Sequence, residues 1–179
     1  MPVRSDAREN RRRIVAAARE AFTAAGDTSL NEIAKRAGVG PGTLYRHFPT
    51  RDALVLAVYR EEIESLARLA PALLAEHPPL VALRAWLDRV AGYGQLKFGV
   101  AEVIHAAAGG EEEAYALVVG AIRELLDACT TAGVLRPDVD PDDFLLLISF
   151  LWRIDPRTGG VRRATRMLDL LLEGLLPRP

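Results

Sequence analysis

Thr43, Tyr45, Arg46 and His47 fall within five consecutive residues, and each carries a hydrogen-bond donor on its side chain. A hydroxyl, a phenol, a guanidinium and an imidazole crowded this closely suit a surface lined with phosphate oxygens, which only accept. Backbone N–H groups at a helix start would add to them. Arg46 is the first candidate for reading a base, because its planar fork matches the O6/N7 edge of guanine. One such bidentate pair is worth roughly 1–3 kcal/mol of discrimination. Gly42 has no side chain, so the backbone there can approach a ligand closely. Pro41 and Thr43 can touch a thymine methyl, and Asn31 is a further candidate contact. Lys35, Arg36, Arg51 and an arm of Arg4, Arg8, Arg11, Arg12 and Arg13 would add salt-sensitive attraction.

Each residue also has a plainer reading. Tyr45 could be a half-buried packing residue, and His47 a cap on the end of its helix. Lys35 and Arg36, taken alone, read as solvated helix charges. Arg46 could meet a phosphate in place of a base.

The elements that must hold these groups follow from local signals. Ile14, Ala17, Ala18, Ala21 and Phe22 recur at helical spacing and mark one face of a first helix, closed near Gly26. Ser29-Leu-Asn-Glu32 is a capping box that starts a second helix. Gly38 supplies the left-handed residue that stops it. Gly40 and Pro41 start a third, with proline in the first turn where its missing N–H costs nothing. Leu44 and Phe48, four residues apart, should face Ile33, Ala37 and Phe22. Helix, tight glycine turn, second helix is the layout that lays a recognition helix in the major groove of double-stranded DNA.

Charge divides along the chain in the same way. Residues 1–51 hold ten basic and five acidic side chains, a net of +5, whereas residues 52–179 carry a net of −6. A basic head on an acidic body implies that the head alone meets a polyanion. The organisation expected of the 179 residues is a DNA-binding domain over 1–50 and a larger helical domain over 51–179. No apolar run approaches the roughly 18 residues that span a membrane, and the polar, arginine-rich N-terminus lacks the apolar core of a secretory signal. One cysteine, Cys129, excludes an internal disulfide and a cysteine-rich metal site. A cytoplasmic protein without a metal or cofactor is expected.

Beyond the hinge Phe48-Pro49-Thr50, apolar residues keep the helical period and strand patterns are absent. Thr50 can cap a fourth helix, which Pro71 is expected to bend or end. His77-Pro-Pro79 is a break, and a fifth helix follows from Leu80. Gly92, Gly94 and Gly99 predict a kink and a separate short sixth helix over Val103–Ala107. A seventh helix buries residues from Tyr115 to Cys129, and Arg136–Pro141 is a loop. Phe144–Trp152 is apolar nearly all round, and Met167–Leu176 is too dense in leucine to be one-sided. Helices of that kind must be covered on every side. Self-association through these two helices, a four-helix interface in a homodimer, is the simplest cover. The fold class is therefore all-α, with about nine helices.

With these residues in view, the chain resembles the TetR family of bacterial transcriptional regulators. The likeness lies in Arg11–Tyr59, chiefly Ile33-Ala-Lys-Arg-Ala-Gly-Val39 and Gly42-Thr-Leu-Tyr-Arg-His-Phe-Pro49. Two departures stand out: Gly26-Asp-Thr-Ser29 looks about one residue short, and Gly40 replaces the polar residue of many relatives, so bare backbone replaces one side-chain contact with DNA. The resemblance implies a dimeric repressor that binds a palindromic operator and is released by a small-molecule effector within the helical body. Trp86, Val90, Tyr93 and Lys97 lie along one side of the fifth helix and could line its cavity, with His105, Tyr115, Cys129, Phe150 and Trp152 as weaker candidates. Their plain reading is core, with Lys97 extended into solvent.

Two other classes compete. One keeps the DNA-binding head without an effector, as a constitutive regulator or adaptor. The other is a helical enzyme, for which Glu102-x-x-His105 has the one-turn spacing of a di-iron ligand pair. A second such pair is missing, as are a phosphate loop and a plausible Ser–His–Asp set, so no enzyme is expected.

Overall fold

The structure is a computed structural model that describes residues 3–25, 28–106, 111–155 and 159–177, with all their side chains except those of 3–5, 24–25, 94–106 and 111. Every regular element among these residues is helical: α1 (Val3–Ala25), α2 (Leu30–Arg36), α3 (Pro41–His47), α4 (Arg51–Glu76), α5 (Pro79–Ala106), α6 (Glu111–Thr131), α7 (Pro141–Ile148) and α8 (Gly160–Leu175). A 3-10 segment over Ser149–Arg153 follows α7 directly. The chain divides into two compact units, Met1–Glu61 with Gly99–Ala108, and Glu62–Phe98 with Gly109–Pro179.

In the first unit α1 packs on both α2 and α3. Ile14, Ala18, Phe22, Ile33, Ala37, Leu44 and Phe48 are buried together in its core, as their spacing predicts. The basic arm is the first turns of α1 itself, where Glu9 pairs with Arg12 and Asn10 accepts from Arg13, one turn apart in each case. Ser29 caps α2 by accepting from the N–H of Glu32 at 3.2 Å, while the Glu32 carboxylate accepts from Arg36 Nε at 3.3 Å. Helix α2 ends in a complete Schellman motif. Gly38 has φ 66°, its N–H bonds the Lys35 carbonyl at 3.1 Å, and the Val39 N–H bonds the Ala34 carbonyl at 3.0 Å. Thr50 caps α4 through the Ala53 N–H at 3.1 Å.

The second unit is tied by a few polar bonds across an apolar core. Trp86 of α5 donates from Nε1 to the Leu66 carbonyl of α4 at 2.9 Å, with its ring fully buried. Arg89 donates to Glu62 at 3.0 Å, and this carboxylate is 5% exposed. Arg84 pairs with Asp88 one turn along α5 and reaches Asp169 on α8. Helix α6 ends in a second Schellman motif at Gly133, φ 68°, and Asp140 caps α7 through the N–H groups of Asp142 and Asp143.

Three expectations need correction. Pro71 does not end α4, which continues to Glu76; buried Leu66 and Ala70 hold the helix through the lost backbone bond. The glycines do not divide α5, so residues 103–106 of the short helix expected over Val103–Ala107 belong to a single helix from Pro79, and Ala107 lies outside the described residues. A glycine costs only about 1 kcal/mol in a helix, and the buried run Trp86, Leu87, Val90 and Tyr93 outweighs it. The apolar stretch Phe144–Trp152 is not one α-helix but an α-helix that tightens to 3-10 at Ser149.

The positive φ at Gly38 generates a prediction. Gly38→Ala forces a β-carbon into the left-handed region and should destabilise the chain by about 1–2 kcal/mol. Urea denaturation of the two proteins, compared at equal slope, measures it.

Candidate nucleic-acid interface

Helix α3 has one inward side chain and an outward face. Leu44 is fully buried, while Pro41, Gly42, Tyr45 and Arg46 are exposed and Thr43 and His47 are half-buried. Tyr45 is 46% exposed, so its hydroxyl is presented outward. His47 packs its ring beside Phe48, centroids 6.3 Å apart, and sits in the last turn of α3. Arg46 lies folded along its own helix, donating from Nε to the Gly42 carbonyl at 3.0 Å and reaching Thr43 Oγ1 at 3.5 Å. Its fork must rotate away from these acceptors to meet a base edge.

The two glycines are informative because this fold does not require them. Gly40 has φ −69°, and a β-carbon built on either Gly40 or Gly42 would meet nothing within 4 Å. The space they leave open lies outside the chain. Pro41 occupies the first turn, with no side-chain cap at Gly40.

Asn31, Lys35 and Arg36 of α2 are exposed. Arg51 is half-buried: it donates to the Thr28 carbonyl and stacks on Phe22, its guanidinium carbon 5.0 Å from the ring centroid. Arg11 covers Phe48 in the same way at 5.3 Å. Both cations therefore also roof the core. Sequence reasoning missed Asp6 and Asn10, which line a depression of about 360 Å³ with Ala7, Thr43, Arg46 and His47. Positions 6, 7 and 10 share a face of α1, but no local signal shows that this face borders α3.

The candidate effector residues do not gather in one place. Trp86, Val90 and Tyr93 share one buried face of α5, and Tyr93 meets Trp152 edge-on at 5.6 Å between centroids. Phe150 is half-buried. Tyr115, expected among the residues its helix buries, is instead 49% exposed, because it donates its hydroxyl to Asp142 of α7, a bond to a carboxylate that raises the phenol pKa above its ordinary value. The side chains of Lys97, Glu102 and His105 lie outside the described residues, as does Gly26. The pair of buried Glu62 with half-buried Arg89, which is one turn from Trp86 and Tyr93, is a charged feature that sequence reading did not pick out; a mid-helix acid gives no signal until its partner on another helix is known. Among the described residues no helix is long and apolar enough to cross a membrane.

Comparison with known proteins gives consistent findings. A family model described as bacterial regulatory proteins, tetR family, matches residues 14–58. Another, described as the C-terminal domain of SbtR-like transcriptional regulators, matches residues 78–177. An HTH-type transcriptional regulator of Staphylococcus aureus is 42% identical over 64 residues, which span 35% of this chain and 35% of that relative's length. Among solved structures, a TetR transcriptional regulator from Streptomyces coelicolor is 39% identical over 94% of this chain and 99% of its own, with a TM-score of 0.79. A TetR transcription regulatory protein from Mycobacterium vanbaalenii is 32% identical, covering 98% and 100%, with a TM-score of 0.78. Thermus thermophilus FadR, a TetR-family transcriptional repressor solved in complex with lauroyl-CoA, is 27% identical over 94% and 96%, with a TM-score of 0.58.

Cys129 supplies a test of the packed body. Its side chain is fully buried, and loss of water pushes its pKa up to about 11. The folded thiol keeps its proton where the unfolded one ionises, near 9, so stability is lost as pH rises from about 9 toward 11. That alkaline slope should be shallower in Cys129→Ala. At about pH 8 a disulfide-exchange reagent should label the native chain at least about a hundredfold more slowly than the urea-unfolded one.

Proposed function

Because this chain belongs to the TetR family of bacterial transcriptional regulators, we propose that it is a homodimeric repressor: it seats α3 in the major groove of a palindromic operator and releases it when a small molecule binds the helical body. Residues 1–50 act as the head and 51–179 as the effector-binding and dimerisation part.

The observation that carries the DNA reading is the outward face of α3. Thr43, Tyr45 and Arg46 flank a backbone stripped of side chains at Gly40 and Gly42, where the fold itself would accept them. Open space alone is not distinctive, since Gly92, Gly120 and Gly174 share it; at Gly40 and Gly42 it coincides with a face of donors and permits a partner's close approach. Thr43, Tyr45 and His47 donate to phosphates and set the register. Arg46 unfolds from the Gly42 carbonyl to reach a guanine, so its intrahelical bond is exchanged for a bidentate one. Asn31, Lys35 and Arg36 contribute from α2.

A second copy is the proposed cover for apolar residues that one chain leaves in water. Leu146 is 72% exposed on α7 and Leu170 is 68% exposed on α8, with Leu147 and Val161 also bare. A twofold interface buries each of these twice. The effector proposal rests on the aromatic face Trp86–Tyr93 with Trp152, and on FadR's complex with lauroyl-CoA. A ligand that favours a dimer whose heads no longer match successive major grooves, roughly 34–36 Å apart, lowers operator affinity. Helix α4, which carries residues of both units, is the lever in this scheme.

The reading is tested by selecting bound duplexes from a random pool and then titrating the selected operator. A palindrome with half-sites about one helical turn apart is expected. Tyr45→Phe and Thr43→Ala should weaken binding across sequences with the fold intact, and Arg46→Ala should relax discrimination at one position by about 1–3 kcal/mol. Gly42→Leu separates the roles: leucine is the better helix former by somewhat under about 1 kcal/mol, so the variant should melt no lower than wild type yet lose operator binding at least about tenfold. Unchanged affinity in Gly42→Leu would reject close approach of α3.

A further inference from the structure

Helices α7 and α8 each set charge one turn before an exposed leucine, acidic on α7 and basic on α8, where the exposed Glu173 then follows Leu170. On α7 the exposed face runs from Asp143 to Leu146 and Leu147, three and four residues on. On α8 it runs from Arg163 through Arg166 to Leu170. In each helix the charge comes first and the bare leucine follows one turn later. The step from Asp143 to Leu147 and the step from Arg166 to Leu170 are both four residues, about 6 Å along the axis. The guanidinium groups of Arg162, Arg163 and Arg166 make no hydrogen bond or ion pair among the described residues, and neither does the Asp143 carboxylate. By contrast, Arg84 on α5 and Arg136 beside α7 are each engaged by aspartates of their own chain. Arg60, Arg123 and Arg153 are likewise exposed without a partner among the described residues, but Arg163 and Arg166 precede an uncovered leucine on the same face of one helix.

We infer that α7 of one copy meets α8 of a second copy, with Asp143 against Arg163 and Arg166 and leucine against leucine, so that the charges fix the register of the dimer. This rests on the homodimer reading above and adds to it which groups pair and how the partner is chosen. Matched charge-to-leucine steps let both contacts form together where the two helices run in the same direction. In an interface with twofold symmetry the pairing occurs twice, because residue i meets j and j meets i. Leucine contacts alone are non-directional, whereas opposed charges reject a shifted or foreign partner by setting like against like.

Charge reversal tests this on the full chain by sedimentation velocity. Asp143→Arg sets arginine against arginine, and the double variant R163E/R166E sets acid against acid. Each alone should raise the dimer dissociation constant at least about tenfold. Mixed in equal amounts, the two should form a heterodimer of near wild-type affinity, since one copy of the pair is then restored with reversed sign and the other is the native Asp143–arginine pair. The milder Asp143→Asn and R163Q/R166Q variants keep the helices and should lose the salt dependence that the wild-type dimer shows. Reversal variants that dimerise as wild type does, or a mixture no tighter than its parts, overturn the pairing and leave the dimer standing. A wild-type chain that is itself monomeric removes the dimer and the pairing with it.

Discussion

A seven-residue helix does not persist by itself in water, since nucleation consumes most of what its few backbone bonds supply. Helix α3 exists because Leu44 and the adjoining Phe48 are driven into the core formed by Ile14, Ala18, Phe22 and Ile33. The Schellman turn at Gly38 fixes where α2 stops, and Pro41 fixes where α3 starts. Only Val39 and Gly40 separate the turn glycine from the first exposed position of α3, so the aim of Thr43, Tyr45 and Arg46 is set almost entirely by what Leu44 buries. The outward chemistry of the head is thus a consequence of its inward packing.

The same economy governs its cations. Counted along the sequence, the head has a net charge of +5, yet the charges are not equivalent. Arg11 and Arg51 lie over Phe48 and Phe22, and Arg51 also satisfies the Thr28 carbonyl. A guanidinium over an aromatic face contributes about 0.5–1 kcal/mol at exposed sites, and its aliphatic stem covers apolar surface besides. Such residues raise the long-range field that draws in a polyanion without being free to reach far from the core. Arg46, Lys35 and Arg36 are more loosely held, and Arg46 is shifted only by bonds within its own helix. Replacing Arg51 would therefore perturb the fold and the field together, whereas replacing Lys35 would touch the field alone.

What the sequence revealed follows the range over which its signals act. The start and stop of α2, the proline entry to α3, the Thr50 cap and the inward set of the head all depend on residues within about one turn of each other, and all appear where the spacing predicts. Errors arose where distant packing overrides local preference. Pro71 and Gly92 are breakers on intrinsic propensity, yet α4 and α5 pass through them because their flanking residues are buried. In the candidate interface, residue types mark Thr43 to His47 as one cluster, but nothing local shows that Asp6 and Asn10 of α1 border it. Likewise the aromatic periodicity of α5 exposed the Trp86–Tyr93 face, while the Arg89–Glu62 pair joins residues 27 apart and leaves no mark in either neighbourhood. Tyr115 was grouped with the aromatics by type alone, and its environment is instead the acidic start of α7.

The two units pose different physical problems. The head needs only that a short helix be held at a fixed angle, which a small core achieves. The body, in the proposed dimer, must hold two heads at one spacing, because half-sites lie a set fraction of the duplex helix apart and a sideways slip of one turn of α8, about 5 Å, would carry a head off its phosphates. Apolar surface cannot enforce this. A leucine is nearly as well buried one turn along as at its proper place, since burial depends on area and hardly on direction. Enforcement has to come from groups that lose energy when displaced, which means charges, hydrogen bonds or shape. On α7 and α8 the exposed leucines have charged neighbours within one turn, Asp143 on the first and Arg166 with Glu173 on the second. A surface intended only to be dry would have little use for them, whereas one that must fix an angle needs them beside the leucines.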